Sequence, residues 1–327
     1  MDIVSLFSGA GGLDLGFEKA GFTIKWANEF DPTIWDTFQN NFPKTYLDKR
    51  SIVEVESKDI PCSIGVIGGP PCQSWSEAGA GRGLNDTRGQ LFFEYIRVLR
   101  DKEPLFFLAE NVSGILLSRH KEAFQHILDQ FNSLNYNVTY KLLNAKDYGV
   151  PQDRKRVIIV GFHRKTGKAF NFPEPFTISP TLKDAIWDLK ECAIKGKQYN
   201  KTNGNLEIPN HEYMDGNFST IYMSRNRVRN WDEQSFTIQA GGRHAPIHPQ
   251  APKMKFIEQD KRIFVPGKEY LYRRLSVREC ARIQTFPDNF VFIYSNIADG
   301  YKMIGNAVPV KFAEVLANEI KKQLIEI

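Results

Sequence analysis

The chain has 327 residues, 42% of them hydrophobic and 25% charged, with a net charge of +5. Its length suggests about two domains, and its apolar content excludes a long disordered protein. The apolar runs, such as Pro104 to Ala109 and Val157 to Phe162, fall far short of the about 20 residues of a membrane span.

Asp2 to Phe7 predicts a short strand ending at a glycine cluster, Leu13 to Ala20 the start of a helix, and Thr23 to Glu29 a second strand. Ile64 to Ile67 is a third apolar run, stopped by Gly-Gly-Pro-Pro. From Gln90 to Asp101 the residues Leu91, Tyr95, Val98 and Leu99 share one helical face. Leu105 to Ala109 reads as a buried strand, followed by a helix from about His120 to Leu134 and strands at Val138 to Asn144 and Val157 to Phe162. This alternation predicts an α/β fold, a Rossmann-like, mostly parallel, doubly wound sheet. Near Phe170 the texture changes to a Pro-rich and then irregular stretch with scattered aromatics. The expected division is residues 1–168, a second and mainly β domain at 169–290, and a returning segment at 291–327 with a helix from Val310.

An acid at Asp2 replaces the basic start of a signal peptide. Four cysteines lack any CxxC spacing, which argues against both a disulfide scaffold and a metal site. The expectation is a soluble, intracellular protein without metal.

The strand, glycine loop and helix around FSGAGGLDLGF carry Gly9, Gly11, Gly12 and Gly16. Glycine permits a tight turn and a close ligand approach, and a helix N-terminus offers free N–H donors. Glu29 follows Gly9 by 20 positions, a spacing that suits a carboxylate on a ribose hydroxyl. Because the glycines depart from GxGxxG, an adenosine-type cofactor without a pyrophosphate fits better than a dinucleotide. A plain structural turn with a surface glutamate is the alternative.

Cys72 follows GGPP at the carboxyl end of a strand, the edge where open α/β sheets bind ligands. Two prolines can aim its thiol rigidly, which favours a nucleophile over the buried packing role that suits Cys62, Cys192 and Cys280. Glu110 and Asn111 follow the next apolar strand in the same way. Taken alone, Glu110 reads first as a loop acid capping a helix; beside a cysteine it can act as a general acid.

In order along the chain, FSGAGG, GGPPCQSWS, Glu110-Asn111-Val112, QDRKR (152–156), LSVRECARIQTFP (275–287) and GNAVP (305–309) resemble the motifs of DNA cytosine-C5 methyltransferases. The HEY, MSRNRVR and GGR segments, with HPQAP, resemble the recognition region of GGCC-specific modification methyltransferases of restriction–modification systems. The resemblance implies S-adenosylmethionine as cofactor, with Phe7 near adenine and Glu29 on the ribose. Ser8, Gly9, Ala10, Gly11, Gly12, Leu13, Phe30, Ser51, Ile52, Pro71, Leu91 and Asn306 would complete its pocket. It implies attack by Cys72 on cytosine C6, a proton or hydrogen bond from Glu110 at N3, and Arg156 on the base O2. Arg154 would contact phosphate or steady the active-site loop. The family usually carries an acid after its third strand, where this chain has Arg50-Ser51-Ile52; Ser51 takes that place, or Asp48 supplies the contact.

A cytosine in a duplex must be flipped out to expose C6, and a Gly-rich loop from Trp75 to Gly89 is expected to close over the DNA. Ser76 and Arg88 belong to the implied DNA surface. Arg225, Arg227 and Arg229 alternate as on a strand and would share a face. With Arg243 they are candidates for guanine O6 and N7, phosphate contact being the alternative. Residues 151–168 carry a net +5 and residues 221–245 a net +2, which suggests a basic DNA cleft. The implied function is methylation of double-stranded DNA at GGCC, with the inner cytosine as target, by a cytoplasmic prokaryotic monomer paired with a restriction endonuclease. An RNA cytosine methyltransferase and a catalytically silent DNA-binding regulator are the competing readings.

Overall fold

A computed structural model describes residues 1–71, 87–196 and 206–325, with backbone alone at 87–90. Seven strands form one sheet: β1 (Asp2–Leu6), β2 (Thr23–Asn28), β3 (Tyr46–Asp48), β4 (Gly65–Gly68), β5 (Phe106–Val112), β6 (Tyr136–Asn144) and β7 (Lys155–His163). Their order is β3-β2-β1-β4-β5-β7-β6. β1 to β5 pair in parallel, whereas β7 runs antiparallel to both neighbours.

Period-two alternation covers the sheet on both faces. Ile3, Ile67, Phe106, Leu108, Ile158 and Val160 join one buried cluster. Val4, Val66, Phe107, Ala109, Val157 and Ile159 join the other. The first face is covered by α1 (Gly12–Lys19) and the C-terminal helix Val310–Ile325. These two approach closely, because a Cβ on Gly16 would fall 2.4 Å from Ala313 Cβ. The second face is covered by α3 (Thr87–Lys102) and α4 (Lys121–Ser133). Tyr95 of α3 is fully buried and donates to Leu108 O at 2.8 Å.

In the sheet half of the chain, α2 (Trp35–Asn41) and β3 were not legible in the sequence, both too short to show a period. The helix expected from Gln90 begins three residues earlier, at Thr87.

Beyond β7 the described chain holds little regular structure. It has α5 (Leu182–Ile186), a ladder of β8 (Ile194–Gly196) with β9 (Glu212–Met214), a hairpin of β10 (Lys255–Glu258) with β11 (Lys261–Ile263), and α6 (Val277–Ile283). A separate small core of Tyr222, Val228, Ile247, Met254 and Tyr272 supports its middle, whereas Leu182 of α5, Met214 of β9 and Val277 of α6 belong to the first buried cluster. Finally α7 (Ile297–Asn306) and α8 (Val310–Ile325) return to the sheet. There Thr37 and Asn41 of α2 hydrogen-bond backbone at Ile293 and Val291. Among the described residues, no helix is long and apolar enough to cross a membrane.

Candidate active site

The carboxyl ends of β1, β2, β4 and β5 open onto one cavity of about 780 Å³. Its walls come from Phe7–Gly9 after β1, Glu29 and Asp31 after β2, Gly69–Pro71 after β4, Glu110 and Asn111 on β5, and Gly305–Val308 at the end of α7. This is the strand edge expected of an open α/β sheet.

The glycine loop is shaped by backbone. Gly11 caps α1 in the left-handed region at φ 87°, and a Cβ on Gly12 would sit 2.3 Å from Val308 O. Phe7 is itself left-handed at φ 54°, an uncommon state for a bulky residue that concentrates at functional sites. Glu29 accepts Gly9 N–H at 2.9 Å and Asp31 N–H at 2.8 Å, one on each oxygen. Burial raises its pKa, although both backbone donors oppose the rise.

Across the cavity, Glu110 and Arg156 form an ion pair, Oε1 to Nε at 2.7 Å, with both side chains about nine-tenths buried. Register explains the meeting: Arg156 pairs with Val112 and Ile158 with Glu110 across β5 and β7. Only an antiparallel β7 brings its first residues to the carboxyl end of β5. Asn111 Nδ2 donates to Pro70 O at 3.1 Å, and a Cβ on Gly69 would lie 3.3 Å from Glu110 Oε2. The Gly-Gly-Pro-Pro stem is therefore tied to the Glu110 strand end. Pro71 lines the cavity; Cys72 and Ser76 lie outside the described residues, as does Trp75–Asp86 of the expected closing loop. Arg88 lies on α3, where only the backbone is described.

Of the other cofactor residues named from sequence, Ser8, Gly9, Gly12, Leu13 and Asn306 line the cavity. Ala10, Gly11, Phe30, Ser51, Ile52 and Leu91 fall outside its lining. Phe30 is 66% exposed, while Ile52 is buried in the second core. Asp48 does not offer a free carboxylate, because Arg50 binds it through its backbone N–H and its guanidinium.

Three sequence expectations need correction. Arg154 cannot reach a phosphate: it is 1% exposed and donates to the carbonyls of Ile238, Gly305 and Ala307. It joins β7 to the irregular region and to the α7–α8 turn, and burial lowers its pKa to about 9. Second, the arginines at 225–229 do not form a strand; Val228 makes an isolated bridge to Ile247. Arg227 donates to Tyr222 O and Ile221 O and stacks on the Tyr222 ring, and Arg229 pairs with Glu233 over Phe236. Arg225 and Arg243 are exposed. Third, the basic residues of 151–168 do not share one cleft. β7 carries Arg164, Lys165 and Lys168 to the opposite sheet edge, where Lys165 meets Glu103 O and Lys168 meets Gln323 O.

Sequence reasoning missed Asp14 and Asp31. Asp14 is fully buried at the cavity, and neither carboxylate oxygen has a hydrogen bond of normal geometry. Burial raises its pKa to about 7, with the nearby Ser5 hydroxyl opposing. An acid inside the first helical turn looks like ordinary dipole pairing, so no signal marked it. Asp31 lies two residues after Glu29, which was the available clue.

Residues 1–322 match the family model of the C-5 cytosine-specific DNA methylases. The chain is 57% identical to Type II methyltransferase M.FnuDI of Fusobacterium nucleatum over 331 residues, covering all of this chain and 96% of that protein. It is 58% identical to Type II methyltransferase M.MthTI of Methanothermobacter thermautotrophicus, covering 99% and 98%. A mutant of Spodoptera frugiperda DNMT2 has the same fold, with a TM-score of 0.69, 18% identity and 99% coverage of each chain. A whole-chain family match, two relatives above half identity and a strand-end site together show that this chain belongs to the C-5 cytosine-specific DNA methylase family and is a DNA cytosine-5 methyltransferase.

Proposed function

We propose that the chain methylates C5 of the inner cytosine of GGCC in double-stranded DNA and protects its host's DNA from a paired restriction endonuclease. The observation that carries the chemistry is the Glu110–Arg156 pair, held at a strand end beside the stem that leads to Cys72. The setting is the cytoplasm of a prokaryotic cell, and the chain acts as a monomer on one flipped base.

The cavity suits S-adenosylmethionine. Glu29, fixed by two backbone donors, would hold the ribose hydroxyls, Phe7 would face adenine, and Asn306 would close the opposite wall. The orphaned buried acid Asp14 adds a site for a cationic group near the helix start. When bound, the cofactor supplies the electrophilic methyl group.

Cys72 would attack C6 of the flipped cytosine as thiolate. Glu110 would hold a proton or hydrogen bond at N3, drawing electron density from the ring as the C6–S bond forms and leaving C5 nucleophilic. Arg156 would steady Glu110 and hold the base O2. Loss of the C5 proton and expulsion of the Cys72 thiolate then restore the aromatic ring as 5-methylcytosine. Arg225, Arg227 and Arg243 would read guanines, each bidentate contact worth about 1–3 kcal/mol of discrimination.

Incubation with labelled S-adenosylmethionine and duplexes bearing GGCC, GCGC or CCGG, with tRNA alongside, tests the reading. Label is expected in the GGCC duplex alone. Label in tRNA alone overturns it in favour of an RNA substrate, and no label anywhere favours a silent binder.

A further inference from the structure

Lys302 lies on α7, one turn before Asn306, so the two share a helix face. Its ammonium pairs with Asp31 and lies 3.4 Å from Thr33 Oγ1. Asp31 is the cavity residue whose backbone N–H holds Glu29, and its other oxygen accepts from Thr33 N and Oγ1. The contacts form a continuous path along the cavity wall, from Gly9 through Glu29 and Asp31 to the helix that ends at Asn306. The partners are 271 residues apart in sequence, so the pair joins the two ends of the chain around the cavity.

Electrostatics gives the pair a purpose beyond joining. Glu29 and Asp31 place two carboxylates side by side, and each raises the cost of ionising the other. Burial alone would raise the Asp31 pKa, and the Lys302 ammonium and Thr33 donors more than reverse that rise. Lys302 also favours the ionised form of Glu29. Without the ammonium, Asp31 and Glu29 repel, and the turn that aims Glu29 loses its outer anchor.

We infer that Lys302 is a positioning residue for cofactor retention, a latch that holds the Glu29–Asp31 turn to the helix that ends at Asn306. The inference rests on the proposal that this cavity takes S-adenosylmethionine.

Calorimetric binding of S-adenosylmethionine and S-adenosylhomocysteine without DNA, with stopped-flow dissociation, provides the test. Lys302→Gln is expected to raise both Kd values about tenfold, a loss of about 1.4 kcal/mol, mainly through faster dissociation. KM for the cofactor should rise in proportion while kcat at saturation falls less than twofold, and Lys302→Arg should restore affinity. Asp31→Asn should act in the same direction, and the double variant should be no worse than either single one. Wild-type Kd and dissociation rate in Lys302→Gln overturn the latch. So does an affinity loss that tracks lost thermal stability and is not restored by Lys302→Arg. Glu29→Gln separates the two ideas: if it alone weakens binding, the latch fails and the cavity reading stands. If the wild-type protein binds neither compound, the cavity reading itself fails.

Discussion

The strand-end cavity and the stretch from Ile221 to Ala245 use the same residue types in opposite ways. At the cavity, the sheet delivers the polar groups: antiparallel register across β5 and β7 sets Glu110 against Arg156, and backbone donors set Glu29. In the second region there is no such ladder, and arginines do the structural work. Arg227 donates to backbone carbonyls and lies over the Tyr222 ring, and Arg229 pairs with Glu233 over Phe236. A guanidinium carries five donors in a rigid fork, so it can stand in for missing secondary structure. An arginine in the first region is therefore read by its register, and one in the second by how many of its donors are already occupied.

The largest effect should come from the ladder-set pair. Glu110→Gln is expected to lower kcat about 10²- to 10⁴-fold in single-turnover methylation, with cofactor affinity little changed. A fall below tenfold would remove Glu110 from the chemistry. Arg154 lies two residues before Arg156 but faces the buried joint. Arg154→Ala should cost at least about 3 kcal/mol in urea unfolding, because three buried carbonyls lose their donor at about 1–3 kcal/mol each. Normal stability with lost DNA binding would instead return Arg154 to phosphate contact.

Within the second region, exposed Arg225 and tied Arg227 should part company. Arg225→Ala is expected to cost about 1–3 kcal/mol of discrimination between GGCC and mismatched duplexes with an unchanged melting temperature. Arg227→Ala should lose both discrimination and stability. Identical behaviour of the two variants would erase the distinction. The smallest effect concerns Asp14, which sits at the cavity without a partner. The folded chain holds its proton up to about pH 7, whereas an ordinary aspartate loses it near 3.8. Its contribution to stability is complete below that lower value and is lost as pH rises through about 7. Asp14→Asn should therefore raise the melting temperature by a few degrees at pH 8 and leave it unchanged at pH 4. An equal shift at both values would show that Asp14 does not titrate in this way.

Most of the sheet was legible because its strands read as short β-rich runs bounded by turn residues, and every such run from Asp2 to Phe162 became a strand. The position of Glu29 and of Glu110 followed from the same logic, since strand ends are marked where apolar residues stop. Burial of a long charged side chain was not legible: the resemblance put Arg156 at the site, but only the fold shows Arg154 turned inward to backbone carbonyls. Alternation at Arg225, Arg227 and Arg229 imitated a strand because Val228 alone packs into the small core between them. The Lys302–Asp31 pair was invisible for another reason, as its partners sit at opposite ends of the chain.

We propose that Cys72 attacks a cytosine presented to Glu110 and Arg156. Intact-mass and peptide mapping after incubation with S-adenosylmethionine and a GGCC duplex carrying 5-fluorocytosine at the inner position tests it directly. Fluorine at C5 cannot leave as a proton does, so a covalent protein–DNA complex attached at Cys72 is expected, absent in Cys72→Ser. A complex at any other residue, or methyl transfer that persists in Cys72→Ser, would contradict the account.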